Sequence, residues 1–290
     1  MAASRRRIES RMRSARGLRD IVHSMRSLAA VNIRRAEDSL ATIRDYHALV
    51  VDLFRLSVPL LPRGWRWGAL KGAPVVFIFS SDLGLSGAFN ERVVEFALAE
   101  AARLGEGTRL AIIGARGEGL LRERGVQPLL FESAPRTLAG IEDTMRRLAS
   151  RVLQLFAAAG SGSLHLAYNR YASVGSFTPV RDQVLPPPLA RLLAPKEGRA
   201  LPQTARLYSR PESVVEQLIE EYLFIEMYRA LAESLASENG ARLRAMDEAM
   251  HNIDQTIDRL TLELRVSRQE EITSEILDLV GGAEALRPRR

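Results

Sequence analysis

The stretch that decides the fold is LRAMDEAMHNIDQTIDRLTLEL, residues 243–264. Its apolar side chains recur at alternating steps of three and four residues, which is the spacing of the seam in a coiled coil. They are Leu243, Met246, Met250, Ile253, Ile257, Leu260 and Leu264. The spacing therefore predicts a long α-helix that packs along a partner helix.

The prolines indicate how far that helix extends and where its partner lies. Twelve of the thirteen fall between Pro59 and Pro211, so residues 1–58 and 212–287 contain none. Because proline in a helix interior costs about 3 kcal/mol, segments that must stay helical exclude it. Both ends of the chain are therefore predicted to be long helices.

The N-terminal segment carries a matching apolar pattern, with more drift. Its seam is predicted at Ile8, Met12, Ala15, Leu18, Val22, Met25, Ala29, Ile33, Ala36, Leu40, Ile43, Val50 and Leu53. Residues 1–58 hold twelve arginines and six acidic residues, a net charge of +6, whereas residues 212–287 hold seven arginines and seventeen acidic residues, a net charge of −10. Opposite charges favour pairing of the two segments. The alternative, two separate amphipathic helices on a globular core, explains their length less well.

Between the two ends the sequence changes character. Sixteen of the twenty glycines lie between Gly64 and Gly198, and short apolar runs alternate there with helical patterns, which is typical of an α/β domain. Strands are predicted at residues 75–79, 109–113 and 164–171, helices at 89–104 and near 141–156, and a returning loop at 186–202. The predicted organisation is a coiled-coil helix at residues 1–58, an inserted α/β, Rossmann-like domain at 59–208 and a second coiled-coil helix at 209–290.

The composition excludes several classes of site and protein. The chain has no cysteine, which removes disulfides, thiolate nucleophiles and cysteine metal sites. No apolar run reaches the roughly 18 residues expected of a membrane span, so membrane association is expected only through a partner. The arginine- and serine-rich start resembles a transit peptide, but its apolar spacing continues into the helix, and we interpret it as mature sequence.

A search for catalytic chemistry finds little. The four histidines, His23, His47, His165 and His251, are scattered, and none has a metal-ligating neighbour at usable spacing. Neither lysine follows a glycine, so the phosphate-binding loop GxxxxGK[ST] is missing. We therefore expect no catalytic residue, no metal and no cofactor in this chain.

One loop has the position of a nucleotide site without its sequence. The stretch from Ser80 to Asn90 leaves a predicted strand and opens a predicted helix, as nucleotide-binding loops do. Its glycines, Gly84 and Gly87, stand at G-x-x-G and fall short of the G-x-G-x-x-G fingerprint. A tight turn or a protein contact is the favoured interpretation, with Asp82, Gly84, Gly87 and Asn90 as candidate residues.

The same loop carries a resemblance to a known family. SDLGLSGAFN, residues 81–90, resembles the S-D-x-G-L-x-G-x-F-N segment of the gamma subunit of F-type ATP synthases. A second match, near the N-terminus, comprises Ile8, Ser14, Ile21, Met25, Ala29, Ala30 and Arg35. A third, near the C-terminus, comprises Ser237, Glu238, Arg242, Ala245, Met246, Ala249, Asn252, Leu260, Thr261, Leu262, Arg268, Gln269, Ile272, Thr273, Glu275, Val280, Gly282 and Ala283. The three motifs occur in order across nearly the whole chain.

The resemblance implies a fold and a role. In that family the terminal helices form an antiparallel coiled coil, the central shaft, which enters a ring of alternating alpha and beta subunits, and the α/β domain sits at its foot. The resemblance implies one copy per complex and contacts with the alpha, beta and epsilon subunits and the membrane c-ring. It also implies a peripheral position on the cytoplasmic face of the bacterial inner membrane. Such a subunit couples ion flow to catalysis and is not itself an enzyme.

The resemblance also implies contact residues. The C-terminal seam is regular to Leu264, lapses over residues 265–271 and is expected to resume at Ile272, Ile276 and Leu279. Where the apolar seam lapses, polar side chains are expected to point outward, away from the partner helix. Contacts with the head are expected at Met25, Arg268, Gln269, Thr273 and Glu275.

Other interpretations stay open at this point. Asp20 and His23 stand where the family commonly has lysines, which suggests a divergent branch, and the chain does not decide whether the coupling ion is a proton or sodium. With a sequence pI of about 10.1, a basic coiled-coil protein that binds nucleic acid is one rival. The other is a dinucleotide-dependent enzyme built on the central domain, which lacks a candidate proton-transfer pair.

Overall fold

The structure is a computed structural model that describes residues 2–65, 72–159, 162–194 and 209–285. Its helices are α1 (Ala2–Ser57), α2 (Phe89–Leu104), α3 (Ala115–Glu123), α4 (Ala139–Ala159), α5 (Leu189–Leu192) and α6 (Pro211–Ala285), with a 3₁₀ turn at Val58–Leu60. Its strands are β1 (Pro74–Phe79), β2 (Arg109–Ile113), β3 (Leu130–Glu132), β4 (Ser163–Ser173) and β5 (Ser176–Leu185).

The chain divides into two compact units. The terminal unit consists of Met1–Leu28 and Ala245–Arg290, and the sheet unit consists of Ala29–Arg244. The domain boundaries at residues 58 and 209 remain predictions.

In the terminal unit, α1 and α6 run antiparallel. Three ion pairs join them: Arg5 to Glu271 at 3.1 Å, Arg19 to Asp254 at 2.8 Å and Arg26 to Asp247 at 2.5 Å. The residue number rises along α1 while that of the partner falls along α6, which defines the direction. A basic segment pairs with an acidic one, as the charge pattern predicts.

The apolar seam of this unit lies mostly where the spacing predicts it. Met12 and Ala15 of α1 are buried, as are Met246 and Leu260 of α6. Leu18 is an exception, since it is 54% exposed. Two successive steps of three residues precede it, and each such step falls short of a full helical turn, so its side chain is rotated off the seam.

The expected resumption of the seam at Ile272, Ile276 and Leu279 is wrong. These side chains are 57%, 54% and 74% exposed. Arg5, close to the first residue of α1, already lies opposite Glu271. Beyond Glu271, α6 therefore soon passes the end of α1, and its apolar side chains have no facing helix to bury them.

The sheet unit is built on a five-stranded sheet in the order β3-β2-β1-β4-β5. The first four strands are parallel, and β5 runs antiparallel to β4 at one edge. This is the doubly wound order of Rossmann-like folds, in which sites usually form at the carboxyl ends of the parallel strands.

Both faces of the sheet are covered. Along β1, Phe77 and Phe79 point into a core shared with α1, α4 and α6, whereas Val76 and Ile78 point into a core shared with α2 and α3. Successive strand residues point to opposite faces, so a strand buried on both faces is a continuous apolar run. That run is the signal that identifies β1 in the sequence.

The predicted fold class is confirmed: long N- and C-terminal helices pair antiparallel, and a Rossmann-like α/β domain is inserted between them. Two predicted elements, at residues 89–104 and 109–113, coincide with α2 and β2. The loop predicted at 186–202 contains the short helix α5, and its residues 195–202 lie outside the described residues. Within the described ranges no helix combines the length and the apolar character needed to cross a membrane.

Candidate functional site

The first candidate site is the loop between β1 and α2, at residues 80–88. It leaves the carboxyl end of a parallel strand. Asp82 anchors it: carboxylate Oδ1 accepts hydrogen bonds from the backbone N–H of Ala115 at 2.9 Å and of Ala134 at 3.0 Å. One side chain thereby ties together the segments that follow β1, β2 and β3.

Ser81 and Asn90 close the loop from inside, and both are buried. The Oδ1 atom of Asn90 accepts the backbone N–H of Ser81 at 2.9 Å, and its Nδ2 donates to the Ser81 hydroxyl at 3.0 Å. That hydroxyl in turn donates to the carbonyl of Leu83 at 2.7 Å. The polar groups of the motif are thus used within the loop itself.

Gly84 and Gly87 line a pocket of about 170 Å³ between this loop and α3. Gly87 has a φ of 56°, in the left-handed region that glycine adopts without strain. Arg116 lines the pocket together with Glu91 and Glu123, so acidic side chains outnumber basic ones. This balance disfavours a phosphate group and favours the interpretation of the loop as a tight turn.

The loop also contacts α6. Nη2 of Arg242 lies 3.4 Å from the carbonyl oxygen of Gly84, and the same guanidinium forms an ion pair with Glu238. Burial raises the pKa of Glu238, and the positive charge of Arg242 acts in the opposite direction. Residues of the loop motif and of the C-terminal motif, far apart in the sequence, therefore meet in the sheet unit.

The second candidate site is on α6 in the terminal unit. Arg268, Gln269 and Thr273 are exposed there. The Thr273 hydroxyl donates to the backbone carbonyl of Gln269 at 2.8 Å, so its donor is used within the helix while its lone pairs can still accept. Met25 is half-buried on α1, and the side chain of Glu275 lies outside the described residues.

A groove of about 350 Å³ runs along this part of α6, lined by Val266, Gln269, Glu270, Thr273, Ser274 and Leu277. Its apolar walls are exposed, Val266 at 48% and Leu277 at 65%. Amide, hydroxyl and apolar groups side by side are suited to contacts with another chain. They do not include a nucleophile paired with a general base.

The sequence predictions miss a cluster of buried and partly buried ionisable side chains in the sheet unit. Arg229 of α6 donates to Asp182 of β5 at 2.9 Å and, through Nε, to Glu226 at 3.1 Å. His47 of α1 lies 2.8 Å from Glu226. Burial pushes the pKa of Asp182 up, but a hydrogen bond from Tyr168 and the charge of Arg229 outweigh it, so the pKa is lowered.

A signal for this cluster exists in the sequence. Glu226, Arg229 and Glu233 follow one another at steps of three and four, the spacing of a buried helix face, and all three belong to α6. Charged side chains at such positions are found when partners from other elements neutralise them. The partners, on α1 and β5, come from distant parts of the chain and leave no local pattern.

Comparison with known proteins assigns the chain to a family. The family model described as ATP synthase matches residues 4–286. The ATP synthase gamma chain of Anaeromyxobacter sp. (strain K) is 32% identical and aligns with 98% of this chain and 99% of its own length. The gamma chain of Solibacter usitatus is 31% identical over 96% of this chain and 97% of its own. The chain belongs to the family of ATP synthase gamma chains.

Solved structures share the fold of this gamma-chain family member at low sequence identity. A chain in the cryo-EM structure of the Euglena gracilis mitochondrial ATP synthase, OSCP/F1/c-ring, gives a TM-score of 0.65 at 13% identity, covering 99% of this chain and 95% of that chain. A chain in the rotor structure of the same enzyme gives a TM-score of 0.62 and covers 94% of this chain and 100% of that chain.

In the part of the chain that the structure describes, no group of three or more His, Cys, Asp or Glu is arranged to hold a metal ion.

Proposed function

We propose that this chain is the gamma subunit in the central stalk of an F-type ATP synthase, where it acts as the rotor. Ion flow through a membrane ring turns it, and its rotation drives catalysis in the head; ATP hydrolysis runs the cycle in reverse. The family match over residues 4–286 carries the proposal, because it takes in both the terminal helices and the inserted domain.

The chain supplies coupling and leaves the chemistry to other subunits. The loop between β1 and α2, which has the position of a nucleotide site, uses Asp82, Ser81 and Asn90 for hydrogen bonds within the sheet unit. The pocket beside that loop is more acidic than basic. These observations support a structural role for the loop.

The partners follow from the family. One copy of the chain contacts the alpha and beta subunits of the head, the epsilon subunit and the c-ring. It is held at the cytoplasmic face of the bacterial inner membrane through that ring. The residues that bind the coupling ion belong to the ring, so the ring determines whether that ion is a proton or sodium.

Coupling requires that the chain contact different beta subunits differently. A ligand or partner shifts a conformational equilibrium only through its differential affinity for the two states. The exposed amide of Gln269 and guanidinium of Arg268, with Thr273 beside them, form a polar patch on α6. We assign the head contacts to this patch and to Glu275, through charge-assisted and amide hydrogen bonds at one rotor angle, and to Met25 through apolar contact.

The nucleic-acid alternative is weakened. Its argument was the high pI of the chain, and the arginines of residues 1–58 contribute to that pI. Three of these twelve arginines, Arg5, Arg19 and Arg26, form ion pairs with acidic residues of α6. An arginine paired with a carboxylate is less available to a phosphate than an unpaired one.

The proposal is tested by co-expressing alpha and beta subunits from the same genome with and without this chain. We expect a stable complex with one copy of the chain, and ATP hydrolysis that depends on its presence. A chain that neither joins the alpha and beta subunits nor changes their activity would contradict the proposal. A gel-shift assay with DNA and RNA at low and moderate salt then tests the alternative.

A further inference from the structure

Helix α6 is enclosed on all sides over one segment of the sheet unit. Every residue from Ala230 to Arg242 is buried. The segment covers about three and a half helical turns, whereas a helix on a protein surface buries a single stripe. Polar residues, Ser234, Ser237 and Asn239 among them, are buried here together with the apolar ones.

Polar contacts reach this segment from different directions. They are Ser237 to the carbonyl of Asn169 in β4 at 2.9 Å, Asn32 of α1 to Asn239 at 3.3 Å, and Arg242 to the carbonyl of Gly84 in the β1–α2 loop at 3.4 Å. At roughly 100° per residue, Asn239 and Arg242 point about 200° and 140° away from Ser237. We call the surrounding parts of α1, β4 and the β1–α2 loop, with the β4–β5 turn, the collar.

The tightest contact of the collar is at Gly240. A Cβ atom at this position would lie 2.9 Å from the backbone nitrogen of Gly175, in the turn between β4 and β5. Any side chain there would push the turn away from the helix. Tyr171, in β4 just before that turn, donates its hydroxyl to Glu37 of α1 at 2.7 Å, so the hairpin is attached to both helices.

We propose that Ser237, Gly240 and Arg242 are positioning residues for rotary coupling. They fix the rotational angle of α6 about its own axis inside the collar. When the sheet unit rotates, the helix therefore rotates by the same angle. Apolar packing is non-directional, whereas hydrogen bonds from three directions are satisfied at a single angle. A rotation of α6 by one residue would break the hydrogen bonds of Ser237, Asn239 and Arg242. It would also push a side chain against the backbone of Gly175. The inference rests on the proposed rotor function.

The test uses Gly240→Ala, with Gly17→Ala as its matched control. Both substitutions add one methyl group to a long helix, and both gain helix propensity. At Gly17 a Cβ meets nothing within 4 Å, whereas at Gly240 it meets the Gly175 backbone. Ser237→Ala is measured alongside, because it removes one hydrogen bond without adding an atom.

The readout is the number of ions transported per ATP hydrolysed by the complete complex in lipid vesicles. A variant that merely folds poorly lowers the number of assembled complexes, which reduces transport and hydrolysis in proportion and leaves this ratio unchanged. We expect Ser237→Ala to lower the ratio by roughly fivefold, the factor of about one lost hydrogen bond. Gly240→Ala should lower it at least as much, because the added methyl group pushes the turn at Gly175 away from the helix, and Gly17→Ala should leave it unchanged.

Two results would contradict the proposed role of the collar in coupling. One is an unchanged ratio in both Gly240→Ala and Ser237→Ala, and the other is an equal fall of the ratio in these two variants and in Gly17→Ala. If Gly240→Ala prevents assembly, Ser237→Ala decides alone, and an unchanged ratio overturns the collar. Failure of the unmodified chain to assemble or to couple would instead contradict the rotor function. The two failures are therefore distinguishable.

Discussion

Asp82 and Ala134 are joined by a hydrogen bond of 3.0 Å across 52 residues of sequence. The same carboxylate oxygen also accepts the N–H of Ala115. Asp82→Ala would leave two backbone donors without this partner, and we expect the free energy of unfolding to fall by about 2 kcal/mol. Asp82→Asn keeps an acceptor oxygen and should cost about half as much.

Urea unfolding followed by circular dichroism measures this effect. Asp143→Ala is the matched control, because among the described residues its carboxylate forms only an exposed pair with Arg146. That variant should change stability by less than about 0.5 kcal/mol. Equal stability losses in Asp82→Ala and Asp143→Ala would contradict the anchoring role of Asp82.

The ion pairs of the terminal unit should contribute little individually. Arg19 and Asp254 lie 2.8 Å apart, with side chains 54% and 45% exposed. A double-mutant cycle with Arg19→Ala and Asp254→Ala should give a coupling energy of about 0.5 kcal/mol, reduced at high salt. A salt-independent coupling above about 2 kcal/mol would show that the pair is more important than its exposure implies.

The polar patch on α6 should affect turnover without affecting folding. Replacing Gln269 and Thr273 together by alanine removes exposed groups, and the only contact shown between them is the Thr273 hydroxyl to the Gln269 carbonyl. We expect coupled ATP turnover of the assembled complex to fall by about fivefold, the effect of one lost hydrogen bond in a rate-limiting contact, with Tm unchanged.

Thr256→Ala is the control for that variant, since its hydroxyl makes the same kind of bond, to the carbonyl of Asn252 at 2.8 Å. It should leave turnover unchanged. If the Gln269 and Thr273 variant turned over at the normal rate, the head contacts would lie elsewhere on the chain.

His165 should make the sheet unit sensitive to acid. Burial, aided by the charge of Arg181, lowers its pKa from 6.5 to about 4. The unfolded chain therefore binds a proton that the folded chain excludes between these pH values, so stability falls as the pH drops through that window. The loss is about 3 kcal/mol at most.

His165→Gln tests this prediction, because an amide can still bond to the Ser163 hydroxyl, 2.9 Å from the ring Nε2, but does not titrate. As the pH falls from 6.5 towards 4, the unmodified chain should lose stability relative to the variant. The unfolding free energy of the unmodified chain minus that of the variant should therefore decrease. A difference that stays constant over this range would mean that His165 titrates normally in the folded chain.

The sequence predicts the two terminal helices, α2, α4 and the central strands because their signals are local, but it predicts neither the shorter helices α3 and α5 nor the short strand β3. Alternating steps of three and four residues identify the C-terminal seam, and the apolar run at 75–79 identifies β1. It does not predict β5, which is an edge strand that contains Pro179 and is only partly buried. Proline is tolerated at a sheet edge because a ladder hydrogen bond is not required there.

The candidate residues of the loop were found through their motif, but the motif did not say what they do. That Asp82 holds Ala115 and Ala134, or that Arg242 reaches Gly84, follows from contacts between segments far apart in the chain. The contact roles of Met25, Arg268, Gln269, Thr273 and Glu275 remain predictions.

The sequence by itself determined that the two ends are helices and that they pair, since helix periodicity, the exclusion of proline and opposite charge are all properties of the local chain. The tertiary structure alone decided the register, which sets Arg26 against Asp247, and the enclosure of residues 230–242 by the collar. A helical segment that is buried on every side shows no hydrophobic periodicity in its sequence, because all of its positions are interior. Such a segment is identified only from the tertiary structure, which shows the elements that surround it.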